Sequence, residues 1–234
     1  MRNWVHKGSI AAGLVLPSLA LAQLSAPAVD GDETFLPGFT CLAPAAGAAS
    51  PITCETRISQ VMPPFYFDLF PETEDAGGER VIDRIAIRQQ NAAEPFQVIE
   101  DVGSRTYSDI ENNGFEVIDL NFDGYLDFRL LAHTTAGPNT LYLNWLWSPP
   151  DQRFVANEAL NEIVSPEFDP DTQEITSRWR SSAAEGGIDI HMWEEGMPVV
   201  IHRETDRYSD AGCTRTFYDR IAGNLEQTGE GPCN

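Results

Sequence analysis

The chain predicts an all-β fold of antiparallel sheets, in a propeller-like or sandwich-like single domain with one β-loop-β calcium site. Two observations carry the fold class. Apolar and polar residues alternate in short runs such as FYFDLF (65–70) and TLYLNWLW (140–147), which is the period of a strand with one buried face. Gly, Pro, Asn and Asp separate these runs, and those residues suit tight turns. The calcium site comes from a third observation, the stretch DLNFDGYLDF (119–128).

Taken in order, the chain opens MRNWVHKGSIAAGLVLPSLALA. A basic start, an apolar run and small residues before Ala22 predict a signal peptide over 1–22, too short to span a bilayer as a helix. The mature protein is then expected in the periplasm, with no membrane insertion. Residues 23–56 read as a loop-rich segment, and 57–234 as the all-β domain with a C-terminal disulfide loop. Strands are expected at FYFDLF, RVIDRIAIR (80–88), PFQVIED (95–101), FEVIDL (115–120), YLDFRLLAH (125–133), TLYLNWLW and RFVAN (153–157). Four more are expected at EITSRWR (174–180), GIDIHMWEE (187–195), MPVVIHRE (197–204) and CTRTFYDR (213–220). Helix is confined to a turn near Asn157–Ile163. Alternation puts Leu141, Leu143, Trp145 and Trp147 on one face of their strand, as core. A two-residue turn at Glu195 and Gly196 sets Ile190 opposite Ile201, Met192 opposite Val199 and Asp189 opposite His202.

Four cysteines, Cys41, Cys54, Cys213 and Cys233, are an even count in an exported chain and predict two disulfides. Three pairings exist; the favoured one joins Cys41 to Cys54 and Cys213 to Cys233, each closing a loop rich in Pro, Gly or Ala. Zinc spacing is absent.

The formal charge is −21, and removing residues 1–22 takes away Arg2 and Lys7 but no acid, giving −23. All basic residues after residue 22 are arginine. Such a surface repels nucleic acid and anionic lipid and attracts a basic protein through long-range steering.

In the acidic stretch, Asp119, Asn121, Asp123, the Tyr125 carbonyl and Asp127 occupy alternate positions about Gly124. Calcium takes six to eight oxygen ligands at about 2.4 Å, and such a loop supplies them. Where an EF-hand has its last glutamate stands Leu130, and the flanks look extended. The pattern is therefore similar to the DxDxDGxxD loops between strands of integrin-type, FG-GAP-like propeller blades. A solvated acidic hairpin is the competing reading. The ion's expected role is structural.

No HExxH or GxSxG motif and no lysine-ended phosphate loop occurs, so no enzyme motif is present. His191 and His202 could share a sheet face beside Asp189 as a hydrolytic pair, against the plainer reading of exposed polar residues. The chain reads as a binding protein, not an enzyme.

The segment from Gln97 to His202 resembles a family of exported bacterial proteins known as periplasmic inhibitors of lysozyme-like effectors. These are immunity proteins against peptidoglycan hydrolases delivered by an antibacterial type IV secretion system. The resemblance rests on FQVI, DLNFDGYLDF, Gly137 and Asn139 leading into LYLNWLW, Phe154, an SPEFD turn at 165–169, EITSRWR and HMWEEGMPVVI. It implies calcium ligands at Asp119, Asn121, Asp123, Tyr125 and Asp127, and an inhibitory loop that enters a hydrolase's sugar cleft, often with a tyrosine. The matching loop here is Ser181–Gly187, with Ser181, Ser182, Glu185 and Gly186 facing the partner, and it contains no tyrosine. The expected function is that of an exported calcium-binding monomer that binds and inhibits a basic, lysozyme-like peptidoglycan hydrolase. The alternative is a calcium-stabilised carbohydrate-binding module of the cell wall.

Overall fold

The computed structural model describes residues 38–42, 50–72, 78–107, 111–133 and 137–233; the expected signal peptide lies outside them. The sheets described below all belong to one contact unit, residues 35–234.

Strand formation follows the alternation. The first sheet runs β1 (Thr40–Leu42), β2 (Ile52–Thr56), β3 (Phe65–Pro71), β4 (Glu79–Gln89) and β5 (Gln97–Ile99), with β6 (Ser104–Tyr107) pairing the far end of β4. The second is β7 (Phe115–Ile118), β8 (Asp127–His133), β9 (Leu141–Ser148) and β10 (Arg153–Ala156). A one-turn helix α1 (Glu158–Asn161) follows, capped by the Asn157 side chain on the Leu160 amide. The third sheet is a six-strand meander: β11 (Pro166–Asp169), β12 (Glu174–Arg180), β13 (Glu185–Glu194), β14 (Met197–Ser209), β15 (Gly212–Ile221) and β16 (Asn224–Pro232). All pairings are antiparallel and all three sheets are open. Of the two expected arrangements, the sandwich-like one is present and the propeller-like one is not.

The first two sheets pack through an aromatic core. Phe65 and Phe67 of the first meet Phe115, Phe128, Trp147 and Phe154 of the second, with ring centroids 5.0 to 6.1 Å apart. Most cross edge to face, the arrangement their quadrupoles favour. Each fully buried phenylalanine contributes about 1.5–3 kcal/mol by leaving water. Trp145 and Trp147 are core residues, as their strand's alternation predicts. A second cluster, Leu120, Leu160, Ile163 and Ile175, with Phe122, Phe168 and Trp193 against it, seats the third sheet on α1 and on the acidic loop.

Both favoured disulfides are present, Cys41–Cys54 across the β1–β2 pair and Cys213–Cys233 at the open end of β15 and β16. Four expectations need correction. Within 23–56, the stretches 40–42 and 52–56 are strands, and Ile52 and Cys54 are core. The SPEFD stretch is not a turn but mostly strand β11, paired with β12. Ser104–Tyr107 and Asn224–Pro232, where no strand is expected, are strands β6 and β16. In the β13–β14 hairpin Met192 does oppose Val199, but a bulge shifts the register, so Ile190 faces His202 and Asp189 faces Arg203. One extra residue reverses which side chains share a face.

Candidate metal loop and docking turn

The acidic loop spans 119–126 between β7 and β8, as a β-loop-β unit. Its backbone reverses with Phe122 and Gly124 at positive φ, 59° and 85°; glycine at the second position meets no steric cost there. Asp119 accepts from the amides of Asp123 at 3.2 Å and Gly124 at 2.9 Å. The Asn121 side-chain Oδ1 accepts from the Asp123 amide, its Nδ2 donates to the Asp123 carboxylate at 3.0 Å, and that carboxylate in turn accepts from the Tyr125 amide. Asp119, Asn121 and Asp123 are thus gathered.

Asp127 stands apart. It is fully buried, and its two oxygens accept from the amides of Leu120 and Trp147, both at 2.8 Å. The carboxylate oxygens of Asp119, Asp123 and Asp127 do not all lie within 4.8 Å of one another, so the expected convergence of three carboxylates is not present. Burial pushes the Asp127 carboxyl well up, and the charges of Asp123 and Asp119 add to the rise. Burial likewise raises Asp119, aided by Asp123. Among the described residues no arginine pairs with any of the three. Asp119, Asn121 and Asp123, gathered at the turn, present oxygen donors of the kind a hard divalent cation takes. The loop also carries load: Leu120 and Phe122 enter the second core cluster, and Trp193 of β13 donates to the Leu120 carbonyl at 3.0 Å.

The Ser181–Gly187 stretch joins β12 to β13 as a turn held by its own chain. The Ser181 and Ser182 amides both donate to the Glu185 carbonyl, and the Ser182 hydroxyl accepts from Ala184. The Arg180 guanidinium donates to the carbonyls of Ser182 and Ala183, both at 3.0 Å. The Tyr208 amide donates to Ala184, tying the turn to β14. Residues 181–184 are exposed, while Glu185 and Gly186 are half-buried and begin β13. Tyr208, Glu204, Asp206 and Arg215 border this turn, yet they are distant from it in sequence. The alternation of β14, which puts 204, 206 and 208 on one face, was the available signal.

The proposed histidine pair is not assembled. His191 lies on the Asp189 face and its Nδ1 approaches the Ile175 carbonyl at 3.3 Å. His202 shares the other face with Ile190 and holds Asp219 at 2.7 Å. Asp189 serves Arg203 and Trp179 instead.

No helix among the described residues is long and apolar enough to cross a membrane. Two disulfides fit a chain that matures in an oxidising compartment.

No family model matches the chain, and no curated protein matches it. One solved structure does, described as "Structure of a Xanthomonas Type IV Secretion System related protein". It has a TM-score of 0.62 and 16% sequence identity, covering 82% of this chain and 99% of that one. At that identity the likeness concerns the fold.

Proposed function

We propose that the chain is an exported, periplasmic binding protein that holds calcium and inhibits a lysozyme-like peptidoglycan hydrolase, as an immunity protein does. The observation that carries the reading is the shared fold, over 82% of this chain, with a protein related to a type IV secretion system. The acidic balance of 36 Asp and Glu against 15 Lys and Arg supports a basic partner, since opposite charge raises encounter rate. The turn with Ser181, Ser182, Glu185 and Gly186 supports docking without much ordering cost, because its own hydrogen bonds already fix it.

A calcium ion in this loop would be held by Asp119, Asn121, Asp123 and the Tyr125 carbonyl and would supply fixed positive charge there, with Asp127 committed to the Leu120 and Trp147 amides. The chain's own residues do the rest: Asp127 ties the loop to β9 through Trp147, and Leu120 and Phe122 transmit its order to the third sheet. Trp145 and Trp147 are only 6% and 4% exposed, so neither offers the glycan platform of a wall-binding module.

The test is lysis of peptidoglycan by a basic muramidase, with the mature chain added in rising amounts. The reading expects inhibition that saturates near one inhibitor per enzyme and weakens after chelation. Undiminished lysis by a panel of such hydrolases at a large excess of the chain overturns it. Separately, calcium at 100 times its dissociation constant adds about 2.7 kcal/mol of stability. Asp123→Ala is expected to abolish that gain in thermal melts.

A further inference from the structure

We propose that a cavity beside the Ser181–Ala184 turn is a socket for one cationic side chain, of arginine or lysine, presented by a docking protein. The proposal rests on the reading of the partner as a basic hydrolase and names the group that this end of the molecule grips. The cavity opens on the face of the third sheet that carries Glu204, Asp206 and Tyr208, and has a volume of about 150 Å³. A void of that size takes a benzene-sized guest, matching a guanidinium with its adjoining methylenes and too small for a glycan chain.

Hydrogen-bond capacity decides the sign of the guest. Arg215 spends Nε and Nη2 on Asp206 at 2.6 and 2.8 Å and Nη1 on Glu204 at 2.8 Å. Arg180 spends its fork on the Ser182 and Ala183 carbonyls. Five of the ten N–H groups on these two guanidiniums are thus spent internally. Glu185, Glu204 and Asp206 line the same cavity, and each carboxylate has about four lone-pair sites. Glu185 meets only the outlying Arg207, at 3.6 Å. Three carboxylates with about twelve lone-pair sites stand against the two guanidiniums on this wall, so acceptors and negative charge are in excess.

The rest of the wall suits an arginine or lysine stem. Ile188 gives an apolar floor, and Tyr208, 54% exposed, offers a ring face to a cation. Gly186 lets β13 pack closely on β12 at the cavity wall, because a Cβ there would stand 3.0 Å from the Trp179 carbonyl oxygen.

Agmatine, a guanidinium joined by a short alkyl chain to an ammonium group, is the probe, titrated into the full mature chain and followed by NMR at the Arg215 Nε–H and the Gly186 and Tyr208 amides. Saturable shifts confined to these signals are expected, with affinity reduced about fivefold in Tyr208→Ala and in Glu185→Gln. Tyr208 is exposed and Glu185 partly so, and unchanged signals elsewhere verify that the variants fold. Shifts that equal sodium chloride's at the same ionic strength, or that persist in both variants, overturn the socket. Binding of egg-white lysozyme, a basic muramidase, is measured in parallel. Agmatine bound by the wild type without lysozyme binding upholds the socket and removes support from the hydrolase reading. Lysozyme bound equally by wild type and both variants overturns the socket and leaves the hydrolase reading standing.

Discussion

Asp189 is 6% exposed, and it accepts three hydrogen bonds. Arg203 reaches its two oxygens at 2.7 and 2.6 Å, and the Trp179 indole reaches it at 3.1 Å. Removing one partner of such a pair strands the other in a low dielectric. Arg203→Ala is therefore expected to cost about 2 kcal/mol, below the range for fully buried pairs because the arginine is partly exposed. Urea melts measure this, and a cost under about 0.5 kcal/mol would place the pair among ordinary surface ion pairs. Its neighbour His191 titrates against burial, which lowers its pKa, although the Ile175 carbonyl and Asp189 oppose the shift. The folded state then binds fewer protons than the unfolded state between the lowered value and about 6.5, so stability rises with pH there. Acidifying from neutral pH into that window is expected to destabilise the protein, and His191→Gln to flatten that slope. Parallel pH–stability curves for the two chains would show that His191 takes no part.

At the level of elements, the sequence is readable where one face is buried and obscure where pairing alone makes the strand. FYFDLF and TLYLNWLW declare themselves because their alternate residues enter the aromatic core. In β16, NLEQTGEGP has no apolar stripe and no buried residue; it is a strand because β15 offers an edge and Cys213–Cys233 closes the ladder. The β13–β14 bulge is equally silent, since no Gly or Pro marks Ile201. At the acidic loop the spacing declares the donor types, but the commitment of Asp127 to the Leu120 and Trp147 amides depends on β9, 20 residues along the chain from Asp127 to Trp147. If the disulfide is what holds β16, replacing Cys213 and Cys233 by serine should free that strand first. The loop-closure term is about 3 kcal/mol for a loop of this size. Hydrogen exchange is expected to lose protection at 224–232 while β3 and β4 stay protected, and unchanged protection there would assign β16 to backbone pairing alone.

At the scale of the described molecule, the order of its parts divides labour. The first two sheets bury the core, while β15 and β16 have no buried residue and extend the third sheet into solvent. Arginine–carboxylate pairs stiffen that extension, notably Arg215 with Asp206 and Glu204, and Arg220 with Glu194. A surface with formal charge −21 should draw a basic partner in from beyond contact distance. Salt shortens that reach, from about 30 Å at 0.01 M to about 10 Å at 0.1 M. Close contacts made after docking are screened much less. The expected signature with a basic muramidase is therefore an association rate constant that falls about tenfold or more between 0.01 and 0.3 M salt, and a dissociation rate constant that changes little. Stopped-flow mixing separates the two. An association rate flat across that range would mean that encounter does not use the protein's net charge, and that the acidic surface serves solubility alone.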